Sequence, residues 1–147
     1  MEKEPILISA CLLGTPCRYD GASKPIAEIE ELEARYRLIP VCPEVLGGLP
    51  TPRPASEIQA DGRVRNREGA DVTAAYRAGA EAALRLAKET GCRLCILKEK
   101  SPSCGSGRIY DGTFSGVLRD GDGITVRLLR ENGIRVIGES KIGTLFL

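Results

Sequence analysis

Residues 71–98, DVTAAYRAGAEAALRLAKETGCRLCILK, run a helix pattern straight into a strand pattern. Asp71 is a good N-cap. Val72, Tyr76, Gly79, Ala83 and Leu86 recur at 4-3-4-3 spacing along one side, and Gly91 supplies the stop. The next run, Arg93-Leu94-Cys95-Ile96-Leu97-Lys98, is short and apolar, so it reads as a buried strand. A helix with one apolar side followed at once by such a strand belongs on a sheet.

The same alternation extends in both directions. Towards the N-terminus, Ile6-Leu7-Ile8-Ser9 is a first strand that stops at Gly14-Thr15-Pro16, with a loop to about Ser23. Pro25 suits the first turn of a helix over residues 27–35, in which Ile26, Ile29 and Leu32 share a side and four glutamates face water. Arg37–Val41 is a second strand whose Pro40 suits a sheet edge or a strand end. From Cys42 to Pro54, four prolines and two adjacent glycines predict a rigid loop without regular structure, and Gln59–Arg67 reads as a small hairpin turning at Asp61-Gly62. Towards the C-terminus, a loop at Ser101–Gly107 and a glycine-bearing stretch through Gly123 precede a helix at Ile124–Glu131 and a strand at Arg135–Gly138. The alternation predicts an α/β fold: one domain over residues 1–147, with a mostly parallel sheet in a Rossmann-like three-layer arrangement.

A chain of 147 residues is long enough for one ordinary core. Its 42% apolar and 28% charged composition is that of a globular protein, and a net charge of +1 gives no pull towards nucleic acid or anionic membrane. The start, Met1 to Pro5, lacks the basic opening and long apolar core of a secretory signal, and no stretch is long enough to span a bilayer. These features place the protein in the cytoplasm, with no membrane partner, and fix no oligomeric state.

Six cysteines in a reducing compartment point to metal or catalysis rather than disulfides. There is no histidine, so any metal site is built from thiolates and carboxylates. Cys11, Cys42 and Cys104 each follow a predicted strand, where the loops of a parallel sheet converge and ligands sit. Three such thiols suit zinc or an iron-sulfur cluster, and their wide separation argues against the tight pairs of structural zinc sites. Cys17, in the same loop as Cys11, stands as a fourth ligand, a replacement for one of the three, or a neighbouring reactive thiol. Cys92 and Cys95 fall at the start and middle of a strand and read as core thiols. Glu44 and Asp20 lie beside the thiols as candidate acid-base groups, against the plainer readings of a loop-amide cap for Glu44 and an Asp-Gly turn for Asp20. Ser101 and Ser103 sit in a loop able to donate to a substrate heteroatom, and Arg53 and Arg18 are candidates for binding an anion.

The segments Ser9–Gly14, Cys17-Arg18-Tyr19-Asp20-Gly21, Cys42–Arg53 and Lys98–Gly105 together resemble the bacterial thiouracil desulfurase family, formerly known only as a domain of unknown function. The resemblance covers nearly the whole chain, in order. It implies a 4Fe-4S cluster held by three cysteines with one iron open, and non-redox conversion of a thiolated pyrimidine such as thiouracil to its oxygen counterpart. It also implies that Glu44 positions or deprotonates the attacking water, and that Ser101 hydrogen-bonds or relays a proton at the ring. Asp20, Arg53 and Ser103 stand as candidate substrate-binding residues. One thiol per loop favours Cys11, Cys42 and Cys104 as ligands, with Cys17 the alternative. Two other readings account for the cysteines: a zinc-binding structural domain, and a metal-free thiol enzyme using Cys17 or Cys104.

Overall fold

A computed structural model describes residues 3–146, so Met1 and Glu2 of the predicted leaderless start lie outside the described residues. In chain order, β1 (Glu4–Ser9) runs into a 3-10 turn (Ala10–Leu13), then α1 (Ile29–Arg35), β2 (Tyr36–Val41) and α2 (Pro43–Leu46). A hairpin of β3 (Ser56–Ile58) and β4 (Val64–Asn66) leads to α3 (Thr73–Thr90) and β5 (Leu94–Leu97). A second hairpin of β6 (Arg108–Tyr110) and β7 (Leu118–Asp120) precedes α4 (Ile124–Glu131), β8 (Arg135–Gly138) and a closing 3-10 stretch (Glu139–Phe146).

The sheet has four parallel strands in the order β2-β1-β5-β8. Ser9 pairs with Val41 and Leu97 with Gly138, so the carboxyl ends of all four strands come out at one edge. Pro40 lies on β2, an edge strand of the sheet, the position that best tolerates a residue without an N–H. Because side chains alternate along a strand, the two faces bury different sets. Leu7, Cys95, Leu97 and Val136 pack on Ala83 and Ala87 of α3 and on Val126 and Leu129 of α4. Ile6, Ile8, Leu94 and Ile96 pack instead on Leu32 of α1 and Ile142 of the closing stretch. The result is three layers, Rossmann-like in a loose sense only, since both hairpins lie off the sheet. Each large aliphatic side chain buried this way contributes about 1.5–3 kcal/mol. Cys92 and Cys95 belong to the α3 side of this core, at 6% and 0% exposure. No helix among the described residues is long and apolar enough to cross a membrane.

The structure departs from the expected elements in five places. Asp71 is not the cap of α3: the helix begins at Thr73 after Val72, and the Asp71 carboxylate accepts the Thr73 N–H from one residue further back. The proline-rich segment after Cys42 is not wholly irregular, because Pro43 occupies the first turn of α2, where its lost N–H has no partner to miss. Pro25 stays outside α1; the neighbouring Ile26 N–H donates to the carbonyl of Leu12 and holds this stretch against the 3-10 turn, so the helix begins at Ile29. The first hairpin begins at Ser56, its turn closed by Gly62 N–H on the Gln59 carbonyl. The glycine-bearing stretch before α4 contains the β6-β7 hairpin, whose three-residue strands are too short to show a period in sequence.

Candidate active site

The carboxyl edge of the sheet opens into a cavity of about 350 Å³ lined by loops from β1, β2 and β5. Cys11 sits in the 3-10 turn directly after β1, Cys42 is the residue after β2, and Cys104 lies in the loop between β5 and β6. All three line the cavity, and so does Cys17. Hydrogen bonds knit the loops together. The Lys98 N–H donates to Ser9 Oγ across β5 and β1 at 2.8 Å, the Cys42 thiol faces the Cys17 carbonyl at 3.8 Å, and the Arg53 N–H donates to the Tyr19 carbonyl at 2.7 Å.

Burial dominates the electrostatics of the Cys11, Cys17 and Cys104 sulfurs. It pushes Cys11 up to about 11, with the nearby Cys42 adding to the effect. Cys17 is pushed up to about 12 by burial and by Cys42, and Cys104 is raised by burial and by Glu44. Without a metal these groups hold their protons, the opposite of the lowered pKa that activates a nucleophilic cysteine. All six cysteines are free of disulfides.

Glu44 reaches the same cavity from α2. One oxygen, Oε2, accepts from Arg53 Nη2 at 3.0 Å and Nε at 3.2 Å, and from the Tyr76 hydroxyl at 2.9 Å. The other, Oε1, faces the Ser101 hydroxyl at 3.4 Å. Tyr76 arrives from the first turn of α3 because α2 and α3 touch backbone to backbone. A Cβ on Gly79 would lie 2.0 Å from the Pro43 carbonyl, and one on Gly47 would lie 2.0 Å from the Ala75 carbonyl. Burial and the Glu44 charge raise the Tyr76 pKa, keeping it a phenol that donates. The Cys104 loop is fixed from behind: N–H groups at the start of α4, those of Ile124 and Thr125, donate to the carbonyls of Pro102 and Ser103.

Of the residues expected here, Cys11, Cys17, Cys42, Glu44, Arg53, Ser101 and Cys104 share the cavity wall. Ser103 does not: it is 1% exposed, and its hydroxyl bonds to Thr125 Oγ1 at 2.8 Å, behind the loop. Asp20 also lies off the wall, in an exposed turn where Oδ1 accepts the Ala22 N–H at 3.0 Å. Arg18 lines the cavity, its guanidinium 6.0 Å from the Tyr19 ring centre. Sequence reasoning missed Tyr76 and Lys98, both on the wall. The signal was positional. A crossover helix starts at the carboxyl edge of the sheet, so its first turn, like the residue just past a strand, belongs to the site. Lys98 there pairs with Glu139 at 2.8 Å.

A sequence model of the 2-thiouracil desulfurase family matches residues 6–141. The chain belongs to the 2-thiouracil desulfurase family. The matched span holds every thiol on the cavity wall together with Glu44, Tyr76 and Ser101. A family-sized relative, the uncharacterized protein YbbK of Bacillus subtilis (strain 168), is 42% identical over 149 residues, covering 95% of this chain and 99% of that one. Among solved structures, the 4Fe-4S-dependent thiouracil desulfidase TudS is similar with a TM-score of 0.92 and 52% identity, covering 98% of this chain and 96% of that chain.

Proposed function

We propose that this chain removes sulfur from a thiolated pyrimidine of the thiouracil type without net redox change, using a 4Fe-4S cluster held by its cavity cysteines. The observation that carries the reading is the convergence of thiols from three strand ends on one cavity that Glu44 and Ser101 also line. The donor set fits a cluster. It is all sulfur, in a chain with no histidine, and its thiols come from separate loops rather than from tight pairs in sequence. That arrangement suits a cluster of several atoms better than one structural zinc.

Cys11, Cys42 and Cys104 would hold it, one thiol from each loop, with Cys17 the alternative ligand. So held, the cluster would offer a soft, Lewis-acidic iron to the sulfur of a thiocarbonyl. The balanced change is thiouracil plus water to uracil plus hydrogen sulfide. The chain's part is to orient the water and move a proton. Glu44 Oε1 accepts a proton from water, and the Ser101 hydroxyl, directed at that same oxygen, sets the side from which the proton partner approaches. Arg53 serves this reading through Glu44, and neither Asp20 nor Ser103 is needed to contact the substrate. The free cysteines and the small neutral substrate suit a cytoplasmic enzyme of one domain with no nucleic-acid partner.

Purification and reconstitution without oxygen, followed by iron and sulfide analysis, a visible spectrum and addition of 2-thiouracil, tests the reading. It predicts about four irons per chain and release of uracil. A colourless protein that binds only zinc and leaves thiouracil intact would return the cysteines to a structural role.

A further inference from the structure

We propose that Arg53 and Tyr76 are positioning residues which commit Glu44 Oε2 to the protein, so that Oε1 alone is the working atom of the site. The proposal rests on the desulfuration reading and concerns how the carboxylate is presented.

A guanidinium has five N–H donors. In Arg53 Nε and Nη2 point to Glu44 Oε2, Nη2 also to the Cys17 carbonyl at 3.1 Å, and Nη1 to the Pro50 carbonyl at 3.1 Å and Thr51 Oγ1 at 3.2 Å. That accounts for every donor, in a side chain 4% exposed, and leaves none for a substrate anion. Tyr76 adds its hydroxyl to the same oxygen, so Oε2 carries three donors.

Oε1 is treated differently. Ser101 Oγ accepts the backbone N–H groups of Ser103 and Cys104, both at 3.0 Å, which occupies its two lone pairs. Its one hydrogen is therefore directed outward, and Glu44 Oε1 is the acceptor it faces. With one lone pair facing Ser101, Oε1 has a single acceptor position left for one water O–H or one ring N–H. The clamp thus fixes which oxygen works, and the serine fixes the direction from which a proton partner approaches.

The test is Tyr76→Phe, which removes one hydroxyl from a buried ring and keeps its volume, with Arg53→Lys as a second variant. In anaerobically reconstituted protein, kcat falls roughly ten- to a hundredfold, the range for a misplaced catalytic group. KM, iron content and the visible spectrum stay at wild-type values. In the metal-free chain, Tyr76→Phe lowers the thermal midpoint, and this drop shrinks in a Glu44→Ala background because the partner has gone. Wild-type kcat in Tyr76→Phe, or a higher KM with kcat unchanged, overturns the proposal, as does an equal midpoint drop in both backgrounds. Wild-type protein and Glu44→Ala are assayed alongside. If iron-loaded wild type releases no uracil, the desulfuration reading falls and this proposal with it; if wild type turns over and Tyr76→Phe matches it, this proposal alone falls.

Discussion

Cys11 and Glu44 share one cavity, but their removal is expected to fail in different ways. Cys11→Ala takes a sulfur donor from the wall, so iron and activity are lost together, as iron analysis and a uracil assay on the same sample will read. Glu44→Ala leaves the thiols in place. Its iron content stays at the wild-type value while turnover falls roughly a hundredfold or more, the usual scale for a lost acid-base group. Full activity in Glu44→Ala would remove this carboxylate from the chemistry. The chemical type of these residues was readable in sequence because cysteine and glutamate directly after a strand have few structural uses. Orientation was not. Arg53 and Ser103 carry the right groups, yet the first spends its donors on Glu44 and neighbouring carbonyls, and the second turns its hydroxyl to Thr125. Tyr76 was hidden for the opposite reason: its ring continues the apolar side of α3, and only its hydroxyl belongs to the site.

At the scale of elements, the contact of α2 with α3 decides whether Glu44 meets Tyr76. Gly79→Ala puts a methyl group where the Pro43 carbonyl lies, and backbone on both sides leaves it nowhere to go. We expect a loss of about 1–3 kcal/mol, the range for overpacking, read by chemical denaturation, together with reduced turnover as α2 moves away. Unchanged stability would mean that the two helices do not pack this closely. The start of α3 offers a second test. Asp71 Oδ1 accepts the Thr73 N–H at 2.9 Å, and its carboxyl is held below the usual carboxylate range by the Arg63 side chain and by Thr73. Since the folded pKa is depressed, this stabilisation is complete above the unfolded value near 4 and is lost as pH falls through the folded value. Asp71→Asn keeps an oxygen for the Thr73 N–H and removes the charge. Its thermal midpoint lies below wild type at pH 7, and the gap closes as pH drops below about 4. The helix pattern from Asp71 to Gly91 was legible because a long amphipathic period averages over local exceptions. By contrast, α2 is one turn and the strands of the second hairpin three residues each, too short for any period to register.

For the whole molecule, the sheet order makes the function possible. Placing β1 between β2 and β5 brings three loops that are far apart in sequence to one edge; the strand-helix alternation pointed to a parallel sheet, whereas the order of its strands is a property of the fold. Which face each thiol takes follows from the same sheet: Cys95 points into the α3 layer with no exposure, away from the cavity. Cys95→Ala therefore costs stability through a small cavity but keeps the full iron content, measured by denaturation and metal analysis. Loss of iron with the fold intact would mean that this sulfur is a ligand after all. The central claim is that sulfur is exchanged for water with no electrons gained or lost. The most direct measurement is the yield of uracil and sulfide from 2-thiouracil and reconstituted protein, without oxygen and with no reductant or oxidant added. We predict both products in equal amounts over many turnovers; turnover only when a reductant is supplied, or none at all with the cluster intact, would contradict it.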